Sequence, residues 1–505
     1  MKKIECLRKF QSLPLSCSLF LIFFFIYLLV GLYLVNFNPL VLDVELDLIY
    51  NFDTGYRFLY MYKNPAAFHT VVHPISSITS LLVSFFKAIL SSSSLSLIVI
   101  QSLCASGIVC IFNSILKKIF YDNKALISFF TLIVGFSYTI LILAAIPETY
   151  IYVGLVQSLF IYYIISLVLD DNIKELKNTQ IVVIALLSVY VFSLNLFNSL
   201  YSLILIIYLL FVVYKNNLKL IAIAFLKIFT IFSIFLLILV PLQSNTYNVK
   251  SFANPIAKHI LKKEEHPGAK YFNKYKTSER FNLLLKGALI QPMYAMKSGK
   301  SSWRFYSRHI VTHEKIKTKH WIFYQNQKLV RYIPFILFAL LPLFWFFKAI
   351  KDDSFKRFAP LILPNVILYL IASYYYEVLN SFIYAQNCFC CLMLFFAFLY
   401  KFVPRKLMIA TCSSFIVYQI FTNIRAIYKI KQFLAKNSDY NILDVIFYAV
   451  ILFFIFALIC YILKRLINER IFSLCLDCKY IFYLGGYLIL FVIHLIFLIL
   501  SNKCV

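Results

Sequence analysis

The chain has 505 residues, 62% hydrophobic and 18% aromatic, with 10 glycines, a mean hydropathy of +0.83 and a formal net charge of +28. A soluble chain of this size cannot hide that much apolar surface, which excludes a water-soluble globular enzyme. The lysines sit mostly between apolar runs, with no RNA- or DNA-binding motif beside them; topology and anionic headgroups account for the charge, and nucleic acid is excluded as a partner.

Lys2, Lys3, Arg8 and Lys9 precede a first apolar run at 16–37. The run is too long for the core of a cleaved signal, and no small-residue cleavage site follows Asn36, so it reads as a signal anchor retained as the first helix. A polar stretch follows, with Asp43, Glu45, Asp47, Asp53, Arg57, His69 and His73-Pro74. Ionisable groups beside lipid are costly unless they face protein, water or a substrate. The apolar stretch 75–90 is short enough to be a half-span or an interfacial helix and is not counted as a crossing.

Further runs predict helices at 94–116, 126–145, 150–169, 180–197, 199–214, 219–242, 332–349, 358–375, 379–400, 406–424, 444–464 and 480–500. The fold class is therefore an all-α polytopic membrane protein, a bundle of about 11–13 transmembrane helices. Every second connection is basic, which puts the N-terminus in the cytoplasm and 38–74, 146–149, 198, 243–331, 376–378 and 425–443 on the outer side of a plasma (inner) membrane. The connection 425–443 fits badly, because it carries Arg425, Lys429, Lys431 and Lys436. Either a span is miscounted there, or these cations meet an anionic substrate or headgroup.

This divides the chain into an N-terminal transmembrane module (1–242, with outer loop 38–74), a basic amphipathic outer loop (243–331) and a C-terminal transmembrane module (332–505). The loop carries half of the net charge, including Arg280, Arg304 and Arg308, together with His259, His266, His309, His313 and His320. Two readings stay open for it: a solvated amphipathic loop, or a platform that grips a lipid phosphate. His309 and His313 are spaced to share one helix face, but no HExxH pattern accompanies them. The 12 cysteines are scattered through apolar runs, and Cys475-Leu476-Asp477-Cys478 lacks the second pair of a zinc site.

Three polar groups fall on the outer side: Asp53-Thr54-Gly55-Tyr56-Arg57 through His69 and His73-Pro74; Pro147-Glu148-Thr149-Tyr150; and Tyr376-Glu377 with Asn380, Tyr384 and Gln386. Each alone has an ordinary origin. Asp53 and Arg57 make an i, i+4 pair, Pro147-Glu148 suits a helix start, and Glu377 suits a span end. Together, in connections otherwise poor in acids, they suggest one aqueous cavity. There a carboxylate can take a proton from an acceptor hydroxyl, while arginine and histidine stabilise a departing phosphate.

One N-terminal span, an outer loop with an acid and a downstream His-Pro, and many further spans resemble the GT-C class of integral-membrane glycosyltransferases, which includes the protein O-mannosyltransferases and the lipid A aminoarabinose transferase. Asp53-Thr54…Arg57…His69…His73-Pro74, Pro147-Glu148-Thr149-Tyr150 and Glu377…Tyr384 resemble the motifs of a bacterial branch of such proteins more closely. The resemblance implies a polyprenyl-phosphate-sugar donor, a glycan, lipid or protein acceptor, and an inverting single displacement at an outer-face catalytic loop. It implies Asp53 as base, with Glu45 and Asp47 as alternatives. Arg57, His69 and His73 become phosphate or sugar contacts; Glu148, Tyr150, Glu377 and Tyr384 become substrate-binding residues. A divalent cation is compatible with these acids and histidines, but nothing in their spacing demands one.

Two other readings remain. An O-antigen-type polymerase needs arginines in two outer loops, whereas here they cluster in one. A transporter or flippase of lipid-linked substrates finds no inverted repeat, few mid-span charges and few Gly or Pro breaks to support it. Lys227 is the exception, unless it belongs to the cytoplasmic end of its span.

Overall fold

The computed structural model describes residues 19–36, 77–90, 93–146, 150–170, 173, 175–194, 198–247, 277–295, 298–300, 305–308, 315–318, 321–323, 331–375 and 385–434. The chain divides into two compact units at Leu434/Ala435, and every described residue lies in the first. The predicted helices 444–464 and 480–500 lie outside the described residues.

The described elements are overwhelmingly helical. Helix α1 (Leu19–Leu34) ends in a π-helical turn, Leu32–Asn36. There follow α2 (Ser77–Leu90), α3 (Ser93–Ile119), α4 (Lys124–Gly135), α5 (Tyr138–Ala145), α6 (Tyr150–Val168), α7 (Asn178–Leu194), α8 (Asn198–Tyr214) and α9 (Leu218–Tyr247). Helix α10 (Thr277–Leu284) runs into a π-helical turn, Leu285–Ile290. After four short strands come α11 (Ile333–Leu340), α12 (Phe346–Lys351), α13 (Asp353–Tyr375), α14 (Phe389–Tyr400) and α15 (Arg405–Leu434).

Among the described residues, six helices are long and apolar enough to cross a membrane, or seven if the bent pair α4–α5 counts as one span. The chain is thus a helical, multi-pass membrane protein. Helix α2 has 14 residues, too few to cross about 30 Å of hydrocarbon, in keeping with leaving 75–90 out of the spans.

The centre of the body is the α3–α6 pair. Small residues allow the two backbones to approach: Ala105, Ser106 and Gly107 on α3, Gly154 and Ser158 on α6. Ser106 and Ser158 return their hydroxyls to the carbonyls of Ser102 and Gly154, so neither brings an unsatisfied donor into the core. An aromatic stack ties four more helices together. Phe338 of α11 lies on Phe415 of α15 at 4.3 Å and on Tyr400 of α14 at 5.1 Å, with Phe130 of α4 edge-on to Tyr400. The Tyr400 hydroxyl donates to the Phe338 carbonyl at 2.8 Å.

One end of the bundle is basic. Lys117 and Lys118 end α3, where the helix dipole favours cations. Lys401 pairs with Asp352 at 2.6 Å, and the Arg357 guanidinium donates to the Val168 carbonyl.

Besides the predicted helix 126–145, which is broken between α4 and α5, two regions depart from the sequence reading. The predicted helix 406–424 continues to Leu434, so Arg425, Lys429 and Lys431 are helical rather than part of an outer connection. No Gly or Pro interrupts this stretch, and Ala426, Ile427 and Ile430 are buried while the cations flank them; Lys431 lies 5.4 Å from the Tyr33 ring.

The interval 243–331 also does more than form a solvated loop. Helix α9 runs on to Tyr247, and Ala288, Ile290, Met293, Tyr294 and Ala295 are buried in the helical body. The apolar part of this segment is too short to read as a span, which is why hydropathy passes over it. Beyond it, β1 (Ser298–Lys300) pairs antiparallel with β4 (Trp321–Phe323), enclosing the pair β2 (Phe305–Arg308) and β3 (Lys315–Thr318). These strands are the local exception to the all-helical expectation. His309 and His313 lie between β2 and β3, outside the described residues.

Candidate functional site

The most polar place in the described body is a helix break. Helix α4 stops at Gly135 and α5 restarts at Tyr138, with the axis bent by 44°. The 12 residues of α4 rise about 18 Å, so the break falls within the thickness of a bilayer. Backbone freed there must be satisfied by protein, because lipid offers no partners.

Neighbouring elements supply them. Gln419 of α15 donates to the carbonyls of Ile133 at 3.0 Å and Met293 at 2.6 Å. Asn423, one turn further on, donates to the Phe136 carbonyl at 2.7 Å and accepts from the Ala295 N–H at 2.7 Å. The Tyr27 hydroxyl of α1 donates to the Gly135 carbonyl at 2.7 Å. The N–H groups of Tyr138 and Thr139 donate to the carbonyls of Met293 and Pro292 at 3.1 and 3.2 Å. The broken span and the buried turn 291–295 therefore stitch each other together, with two amides from α15 as the thread. Gly135 is forced to be small by Phe23, whose ring occupies the place of a Cβ.

More amides lie along α5. Gln101 of α3 donates to the Ile146 carbonyl at 2.9 Å. Gln386, in the 3-10 turn Ala385–Asn387, reaches the Thr139 hydroxyl at 3.5 Å. It does so across Gly154, where an added Cβ would meet its Oε1 at 2.8 Å.

Cations lie along the same buried segment. Arg280, on the helix that leads into it, is itself buried. Lys286 lies 6.0 Å from the centre of the Tyr332 ring, and burial lowers its pKa below the usual lysine value. The Tyr294 hydroxyl donates to the carbonyl of Arg331, the neighbour of Tyr332, at 2.7 Å. Tyr294 is held edge-on by Phe415 and Tyr418. Lys286 and Arg331, with Tyr294, Tyr332 and Tyr418, thus lie along the buried segment that packs on the break, charge and flat aromatic faces close together in an otherwise apolar body.

Of the residues singled out from sequence, Tyr150 is described: it opens α6 and is 5% exposed. Asp53, Arg57, His69, His73, Glu148, Glu377 and Tyr384 lie outside the described residues, as do Glu45 and Asp47. Two of their chain neighbours are informative: Ile146, before Glu148, and Ala385, after Tyr384, are buried and flank the amide network. Among the described residues no three His, Cys, Asp or Glu side chains come together as a metal site.

Sequence reasoning missed Gln419, Asn423 and the buried segment 277–295. A usable signal was there: amides inside apolar runs, at Gln101, Gln419 and Asn423, where a polar group in hydrocarbon must find a partner. Comparisons with protein-family models, curated proteins and solved structures find no match to this chain.

Proposed function

We propose that this chain is a membrane glycosyltransferase that moves a sugar from a polyprenyl-phosphate donor to an envelope glycan, lipid or protein acceptor. The observation that carries the reading is the polar helix break with Lys286 and Arg331 along the buried segment that packs on it, in a body otherwise built of apolar helices. A lipid-linked phosphate needs cations near apolar surface for its tail, and this neighbourhood supports the reading.

In the proposed reaction the acceptor hydroxyl attacks the anomeric carbon, its proton passes to Asp53, and the carbon–oxygen bond to the donor phosphate breaks. Polyprenyl phosphate leaves with the negative charge. Arg57, His69 and His73 contact that phosphate or the sugar, and Glu148, Tyr150, Glu377 and Tyr384 orient hydroxyls. Fixed positive groups around the leaving phosphate lower the barrier most where charge develops. The motifs around Asp53, Glu148 and Glu377, which resemble the GT-C class, support these roles.

The test uses the purified full chain in lipid with a radiolabelled polyprenyl-phosphate sugar and an envelope extract as acceptor. The wild type transfers label, and Asp53→Asn lowers the rate by about 10²-fold or more. Transfer unchanged in Asp53→Asn removes Asp53 as the base.

One observation favours a second reading. A span broken inside the membrane, facing a buried non-spanning segment, is also how transporters build binding sites. Movement of the lipid-linked sugar across liposomes without covalent transfer would decide for it.

A further inference from the structure

A second site lies away from the helix break. Helices α7 and α9 leave a groove of about 450 Å³ between them, walled by Ile181, Val182, Ile223 and Leu226. Three polar residues line it: Asn178, Lys227 and Thr230. Helix α9 is the least buried of the candidate spans, with 11% of its apolar window inside the protein, so the groove opens to lipid.

Lys227 is the residue that gives the groove a chemistry. It lies nine positions into α9, about 14 Å along the axis, yet its neighbours in the groove are in the first two turns of α7. The first turns of α9 therefore reach past the start of α7, and Lys227 stands level with the polar start of that helix, Asn178-Thr179-Gln180. Lys177, exposed, immediately precedes Asn178 at the same margin. Lys227 is exposed as well, and takes no part in the Lys356–Asp353 or Lys401–Asp352 ion pairs. An ammonium on a lipid-facing helix is costly unless its stem reaches headgroup level and an anion meets it there.

We infer that this groove binds an anionic glycerophospholipid, with its phosphate on Lys227 and Asn178 and an acyl chain along Ile181, Val182, Ile223 and Leu226. Charge selects the occupant: the walls suit any acyl chain, but Lys227 and the adjacent Lys177 favour a headgroup with net negative charge. The site is independent of the glycosyltransferase reading.

The full chain, purified from membranes and exchanged into detergent with added phosphatidylglycerol or phosphatidylcholine, tests it by native mass spectrometry. The wild type retains one more phosphatidylglycerol than Lys227→Met, with affinity at that site about fivefold higher, and Lys227→Arg retains it like the wild type. Equal phosphatidylglycerol retention by wild type and Lys227→Met overturns the proposal. So does equal retention of phosphatidylcholine by the wild type, or failure of Lys227→Arg to keep the lipid, since both show that charge does not select the occupant.

Discussion

The α4–α5 span and helix α9 are both strongly apolar, yet they solve opposite problems. Almost every residue of α4–α5 is buried, and its backbone is broken at 136–137. Helix α9 is continuous over 30 residues, and its window is 11% buried. A helix facing lipid must satisfy nearly all of its own hydrogen bonds, so α9 stays helical even through Pro241 and holds its one mid-run lysine in the groove beside the start of α7. A span surrounded by protein can be broken, provided the neighbours supply donors and acceptors. Here Gln419, Asn423 and Tyr27 do so. Interruption in this protein is thus a property of the neighbours, not of Gly or Pro content.

The largest expected effect attacks the neighbours. Asn423→Leu leaves the Phe136 carbonyl and the Ala295 N–H without their side-chain partner in a site closed to water. Each orphaned buried group costs roughly 1–3 kcal/mol, and membrane measurements fall at the low end, so a loss of about 2–3 kcal/mol is expected. The readout is the fraction of the purified chain that stays monodisperse after graded heating. A midpoint equal to the wild type would mean that the break satisfies itself and that the contrast with α9 is wrong.

The same contrast governs what the sequence could reveal. Spans are legible because a run of about 20 apolar residues is hardly stable anywhere but across a bilayer, and the end of α3 is legible from Lys117 and Lys118. The break is not, because Gly135-Phe136-Ser137 is unremarkable in sequence and the residues that permit it lie nearly 300 positions away. The turn 291–295 escaped for a related reason: a short apolar stretch, interrupted by Lys286 and Gln291 in a basic interval, looks like a loop until a cleft is there to receive it. Among the residues singled out from sequence, Asp53, Glu148 and Glu377 stand out because acids are rare in these connections. Gln419 and Asn423 do not, because an uncharged amide barely lowers the hydropathy of the run that contains it.

Tyr27→Phe makes a smaller and more selective cut. It removes the hydroxyl that donates to the Gly135 carbonyl at 2.7 Å and keeps the ring against Phe23 at 5.8 Å. The expected loss is about 1 kcal/mol, by the same heating assay. Combined with Asn423→Leu, the two losses should be non-additive, since both act on adjacent carbonyls of one break and share its relaxation. Strict additivity would mean that the two carbonyls are held independently.

The smallest effect belongs to α9. Leu237 is 73% exposed, so Leu237→Ala removes atoms whose neighbours are lipid rather than protein. In a soluble core the same truncation costs about 2–5 kcal/mol, because a cavity is left behind. Lipid closes over the gap, and alanine favours the helix as well as leucine does, so a change within about 0.5 kcal/mol is expected. Helix content and heating midpoint in detergent measure it. A loss as large as that of Asn423→Leu would show that α9 packs against protein, a second copy of the chain included, and that lipid does not cover this face.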